Sequence, residues 1–251
     1  MTADRIPRTV ITLGAAQTLA WASSYYLPAL LAVPMARDLG VSAPTVFAAF
    51  SMALGIAALL GPAAGRRIDR LGGRPLLVAS NLVLATGLGL LATAQGPATL
   101  FLAWAVLGIG MSAGLYEAAF ATLVRLHGQD ARGPITGITL MAGFASTVGW
   151  PLSAWMEVQW GWRGACFGWA ALHLLVGVPL NGWLPRAAEA TQPTTAPPAM
   201  ASAAGPATGA PAPATVTEPA PAGTANPLRA TVLLSFVFAV TWFTSTAMAA
   251  H

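Results

Sequence analysis

Charged residues divide this sequence into long uncharged stretches. None lies between Arg8 and Arg37, Asp38 and Arg66, Arg74 and Glu117, Arg132 and Glu157, Arg163 and Arg186, or after Arg229. Each stretch matches or exceeds the roughly 20 apolar residues that carry an α-helix across hydrocarbon. The stretch from Arg74 to Glu117 is long enough for two crossings, and Gln95-Gly96-Pro97 is a natural break in it. The pattern therefore predicts seven transmembrane helices, over residues 10–34, 44–65, 75–94, 98–124, 134–156, 164–184 and 230–250.

Residues 185–229 are a different material. Ten of the twenty prolines fall here among Ala, Thr, Gly and Ser, a composition too poor in large apolar side chains to build a core. The expected organisation is a six-helix unit over 1–184, a Pro/Ala-rich linker over 185–229, and a seventh helix over 230–251 that begins a second bundle. The sequence stops at His251 without a polar flank, which reads as a truncated chain.

Composition agrees with the spans. The chain has 251 residues, of which 56% are hydrophobic and only 8% charged, far from the balance of a soluble domain. A cleavable signal peptide is the competing reading of the first span, but its 28 uncharged residues exceed the usual apolar core of such a peptide. All twelve basic residues are arginine. If the N-terminus is cytoplasmic, ten of them fall inside (Arg5, Arg8, Arg66, Arg67, Arg70, Arg74, Arg125, Arg132, Arg186 and Arg229) and only Arg37 and Arg163 outside. That bias sets a multi-pass topology in the cell (inner) membrane with a cytoplasmic N-terminus. It also accounts for the basic pI without nucleic acid, because no soluble basic domain is present to bind it. Cys166 stands alone inside a span and the three histidines are scattered, so no metal site or cofactor motif is expected. An intramembrane enzyme would need paired carboxylates, a histidine cluster or an activated serine at depth, and the pattern supplies none.

The densest charge lies in GRRIDRLGGRPLL, residues 65–77, between the second and third spans. It holds Arg66, Arg67, Asp69, Arg70 and Arg74. Gly65 would let helices approach where the second span leaves the membrane, and Gly72 and Gly73 would permit a tight turn. The order Gly65, Asp69, Arg70, Gly72, Arg74 resembles the G-x-x-x-D-R-x-G-x-R signature of the major facilitator superfamily (MFS), in the same place between helices 2 and 3. Gly161-Trp162-Arg163 is similar to the G-W-R found before helix 6 in that family, and Gly108-Ile109-Gly110 with Ser112-Ala113-Gly114 to its small-residue stretch in helix 4.

The resemblance implies an all-α membrane fold of six plus six helices, each half built from 3+3 inverted repeats, of which this chain carries the first half and the start of the second. It also implies that the charged loop latches the two halves on the cytoplasmic side, with Asp69 and Arg70 as its working pair and Arg125, at the cytoplasmic end of helix 4, as a partner for Asp69. Two departures argue against a drug/proton antiporter. Trp104 stands where many proton-driven members carry an arginine, and helix 5 offers only Gly149-Trp150-Pro151 in place of a fuller glycine-proline pattern.

Glu117 is the acidic side chain set well inside a span, and insertion scales put the cost of such burial at about 2.5 to 3.5 kcal/mol. Gly110, Ala113, Gly114, Glu117 and Ala121 share one face at helical spacing, giving a small, closely packed stripe. Glu117 is either a proton carrier or cation-binding group in a central cavity, or a structural carboxylate bonded to hydroxyls or to Arg125. In the family, helices 1 and 4 line the cavity, which makes Gln17, Trp21 and Tyr25 candidate substrate contacts beside ordinary packing. His173 either titrates or hydrogen-bonds between helices, and Asn81 is expected to do the latter. Pro28, Pro34, Pro151 and Pro179 are expected to kink their helices.

The resulting expectation is a secondary transporter moving a small solute by alternating access, with proton coupling open and no cofactor, its six-helix half supplying one wall of the cavity. The alternative is a non-transporting membrane fragment or assembly partner of the same ancestry. No arginine lies deep in the first six spans, so a neutral or cationic solute suits Glu117 better than an anion.

Overall fold

The fold of residues 5–185, the residues described by the computed structural model, is helical throughout. Helix α1 (Arg5–Ser23) and helix α2 (Leu27–Leu39) belong to one run interrupted at Ser24, Tyr25 and Tyr26. The hydroxyl of Ser24 donates to the carbonyl of Ala20 at 2.6 Å, taking up an acceptor at the end of α1. Pro28 then sits in the first turn of α2, where its fixed φ suits a helix start and its missing N–H is not needed. A proline expected to bend a continuous helix therefore helps to restart one.

Helix α3 (Ala43–Leu71) begins at an N-cap, Ser42, whose side chain accepts from the Thr45 N–H, and leads through Gly72 into α4 (Gly73–Ala92). Helices α5 (Pro97–Gly114) and α6 (Tyr116–His127) form the fourth run, broken at Leu115, whose backbone is extended at φ −90° and ψ −166°. A 3₁₀ turn over Gly128–Ala131 leads to α7 (Arg132–Gly143) and α8 (Ala145–Leu172), then a π-helical turn over His173–Gly177 and α9 (Val178–Gly182).

Four stretches are long and apolar enough to cross a membrane, and the last, Pro97–Gly182, contains 86 residues. At ~1.5 Å per residue it would be about 130 Å long, several times the ~30 Å of hydrocarbon. It turns back at Gly128 (φ 57°) and within α8 at Gly161 (φ 69°, ψ 173°). Gly161 lies in a region of backbone space that is essentially closed to residues with a Cβ. The indole of Trp169 donates to Ser153 Oγ at 3.0 Å, joining the two limbs on either side of that turn.

An apolar core holds several polar side chains, while many large apolar ones face outward. Gln17, Ser23, Asn81, Ser153, His173 and Asn181 are buried, whereas Leu59, Leu71, Val158, Leu175 and Trp183 are more than two-thirds exposed. Such a surface suits lipid, where helix association relies on close contact and internal hydrogen bonds rather than on hiding apolar area. Close contact is visible where α5 crosses α3. A Cβ at Gly108 would lie 2.5 Å from the Ala53 carbonyl oxygen, so the backbones meet directly there.

The ends of the crossings are tied as well. At one end Arg163 binds Asp38 Oδ2 through Nη2 at 2.9 Å and the Ala92 carbonyl through Nη1 at 2.8 Å, and the Trp162 indole donates to the same Asp38 oxygen. The G-W-R segment thus joins the ends of α2 and α4 to the limb that follows Gly161. All described residues fall within one compact unit, Met1–Pro193. The expected linker and seventh helix lie outside the described residues.

Candidate functional site

Two groups of residues carry the chemistry, one at the charged end and one where the helix runs are broken. At the charged end, Gly72 caps α3 with φ 83° and ψ 161°, and its N–H returns to the Ile68 carbonyl at 2.8 Å. Only glycine takes that conformation readily, so the turn between α3 and α4 depends on it. Gly65 behaves otherwise than expected, because a Cβ there would meet nothing within 4 Å. The close approach falls instead at Gly73, where a Cβ would overlap the Thr122 side chain of α6.

Arg70 and Asp69 are exposed in the last turn of α3, and Arg74 is half-buried in the first turn of α4. Arg125 reaches Asp69, but its guanidinium donates to the main-chain carbonyl rather than to the carboxylate. The contact ties the end of α6 to the end of α3 while leaving the Asp69 carboxylate outside it. His127 closes α6 nearby. Burial lowers its pKa from the ordinary histidine value, and Asp130 opposes that shift in part.

The second group surrounds the two breaks. Gln17 Nε2 donates to the carbonyl of Gly114, the last residue of α5, at 2.7 Å. This bond satisfies an acceptor freed by the break and joins α1 to the fourth run. Gln17 is 1% exposed, and among the described residues its Oε1 has no hydrogen-bond partner. One turn along α1, the Trp21 ring lies 4.7 Å from Tyr116, 5.1 Å from Tyr25 and 6.3 Å from Tyr26. Tyr25 also meets Phe50, which meets Trp104, so an aromatic wall extends from α1 into α3 and α5. The chain has three tyrosines, and all three stand around Trp21.

Glu117 is exposed in the first turn of α6, next to Tyr116. It does not continue the expected small-residue stripe. Gly110 and Gly114 pack against Leu84 and Ser80 of α4, and the extended residue Leu115 turns Glu117 away from that face. Among the described residues, Glu117 has neither an ion pair nor a hydrogen bond, and the start of α6 favours negative charge at its position.

His173 lies elsewhere. It is fully buried, with Nδ1 2.8 Å from Asn81 Oδ1 and Nε2 2.7 Å from Ser23 Oγ. Asn81 Nδ2 already donates to the Leu77 carbonyl, so its oxygen faces the ring and Nδ1 carries the proton. The ring bridges α1, α4 and the π-helical turn. Trp104, at the position where many proton-driven members carry an arginine, is also fully buried, and among the described residues its indole N–H has no partner.

The structure thus brings Gln17, Trp21 and Tyr25 to the α5–α6 break beside Glu117. It adds Tyr26, Tyr116 and Phe50, which the spacing of charges did not single out. The scarcity of tyrosine was the available signal. Asp38 was also missed, because one acid at a span end looks like any solvated charge until Trp162 and Arg163 are seen to converge on it.

A sequence model described as Major Facilitator Superfamily matches residues 13–251. Similar proteins include the "uncharacterized 38 kDa protein in 23S RNA operon" of Thermoproteus tenax, 35% identical over 156 residues, which cover 61% of this chain and 40% of that protein. The multidrug resistance protein MdtH of Yersinia pestis and that of Yersinia pseudotuberculosis are each 30% identical over 161 residues, covering 62% of this chain and 38% of theirs. The matched region spans about two-fifths of the length of these curated relatives. No solved structure matches the chain.

Proposed function

The chain belongs to the major facilitator superfamily, and from that premise we propose that it forms one wall of a secondary transporter that moves a small solute by alternating access. Members of the family are multi-pass membrane transporters rather than enzymes. The observation that carries the reading is the pair of broken helix runs held together by the Gln17–Gly114 bond, with an aromatic wall and an unpaired carboxylate beside the break. Transporters place their sites near the bilayer midplane on discontinuous helices, because helix ends there offer unpaired backbone groups and a local field.

In this proposal residues 1–184 form the first bundle, of 3+3 repeats, with the N-terminus in the cytoplasm of a cell whose inner membrane holds the protein. The solute meets Trp21, Tyr25, Tyr26 and Tyr116, and Glu117 binds its positive charge or a coupling proton. Aromatic faces with a carboxylate suit an apolar body bearing a cation. That chemistry is compatible with the multidrug resistance named for the Yersinia relatives. His173 serves as the clamp between crossings. Asp69 and Arg70 latch this bundle to a second one, with Arg125 positioning the loop through its contact with the Asp69 main chain.

The test uses thiol accessibility and does not require knowing the solute. Cys166 is the chain's one cysteine and is fully buried, so Glu117→Cys adds the reactive thiol. In membranes where the chain is co-expressed with a C-terminal half, that thiol should react with impermeant reagents from both sides. Arg70→Gln should shift the balance toward the cytoplasmic side. Reaction from one side only, unchanged by Arg70→Gln, would favour a non-transporting membrane protein.

A further inference from the structure

At the arginine-rich end of the bundle a cavity of about 670 Å³ opens between α1, α4 and the segment that follows α9. Its walls include Arg8, Thr9 and Thr12 of α1, Arg74 of α4, and Trp183. Two guanidinium groups, 66 positions apart in sequence, are thus brought to one concavity that, among the described residues, no carboxylate lines. Among the described residues neither has an ion-pair partner. Two like charges facing one space repel each other unless an anion lies between them.

Several features specify that anion. The guanidinium fork matches the oxygens of a phosphate, and Thr12 adds a hydroxyl donor. Arg74 lies in the first turn of α4, where the backbone field favours negative charge. The apolar part of the first span begins just beyond Arg8, and that of the third just beyond Arg74, which places both at the level of the lipid headgroups. Trp183, 77% exposed, has the amphipathic ring that collects at the same level. The volume exceeds that of a bare phosphate ion and leaves room for a headgroup.

We propose that this cavity is a phosphate-binding site, occupied by the headgroup of an anionic phospholipid that wedges between the first, third and sixth crossings. It is separate from the aromatic wall and Glu117, and it does not depend on transport.

The purified chain in neutral detergent is heated with phosphatidylglycerol, with phosphatidylcholine, or with inorganic phosphate. Phosphatidylglycerol should raise the unfolding temperature by about 5 °C or more at saturation, and phosphatidylcholine by much less. The Arg8→Gln/Arg74→Gln variant should lose most of that shift, while Arg132→Gln, an exposed arginine outside the cavity, should keep it. A second readout covers the case in which the double variant does not fold. In an otherwise wild-type background, Ile11→Cys puts the accessible thiol on the cavity wall without removing a donor, and phosphatidylglycerol should slow its modification at least several-fold. A shift and protection from phosphatidylglycerol but not from inorganic phosphate identify the lipid as the source, and equal effects from inorganic phosphate identify a soluble phosphate. Equal effects from phosphatidylcholine, or no protection of the Ile11→Cys thiol by either phosphate source, overturn the proposal.

Discussion

Replacing His173 by alanine would leave Asn81 Oδ1 without its ring donor and Ser23 without its ring partner, both inside the bundle. Interhelical hydrogen bonds in membranes are modest, so the expected loss is ~1–2 kcal/mol, read as a lower unfolding temperature in detergent. An unchanged temperature would show that the ring does not clamp these helices. His127 makes a different prediction, because burial lowers its pKa at the end of α6. The unfolded chain takes up the proton near the ordinary histidine value of ~6.5, while the folded chain resists it. This contribution to stability is therefore complete above that value and declines as pH falls below it, down to the lowered folded pKa. Wild-type chain should lose stability on acidification from pH 7 to 5.5 by more than His127→Gln does. At this scale the sequence was legible where a residue type is rare. Glu117 among apolar neighbours, His173 and Asn81 all drew notice by type. Tyr116 and Asp38 did not, because their partners lie far away in the chain and only the fold brings them together.

Glycines in and after α3 show how one element's sequence carries two different demands. Gly72 has φ 83° and ψ 161°, so Gly72→Ala should strain the turn into α4 by about 1–3 kcal/mol. Gly65 lies inside α3 with open space around it, and Gly65→Ala should stabilise the isolated chain by roughly 0.5–1 kcal/mol through the better helix propensity of alanine. If the open face at Gly65 receives the second bundle, the same change should impair transport while raising the unfolding temperature. Thermal unfolding of the two variants separates the roles, and a loss of stability in Gly65→Ala would contradict the open space seen beside it. Loop glycines and helix lengths were foreseeable from the sequence, but the breaks were not. Leu115 carries no breaking signal of its own, and its extended backbone is stabilised by tertiary contacts such as the Gln17–Gly114 bond. Pro28 was seen as a kink, yet whether a proline bends a helix or starts one depends on what satisfies the carbonyls before it.

At the scale of the whole molecule, each end of the helices faces its own side of the membrane. Spacing of charges pointed to long apolar helices, because hydrocarbon tolerates so few charges, and the long run from Pro97 to Gly182 is interrupted at Gly128 and Gly161. Arg125 touching Asp69 puts the ends of α3 and α6 together, and Arg163 touching Asp38 and Ala92 puts the ends of α2 and α4 together at the start of the last limb. The arginine-rich loop and the G-W-R tie are therefore at opposite ends of the crossings. In the proposed orientation, arginine bias puts the loop, with Arg66, Arg67, Arg70 and Arg74, in the cytoplasm. An epitope inserted after Leu71 should be reachable in intact cells only after permeabilisation, whereas one inserted after Gly40, at the turn between α2 and α3, should be reachable from outside. Because the bias acts during insertion, replacing Arg66, Arg67, Arg70 and Arg74 together by glutamine should yield a mixed population with both epitopes partly exposed. A variant that kept the wild-type orientation in every molecule would show that the remaining cytoplasmic arginines suffice and that this loop's charge serves the latch alone.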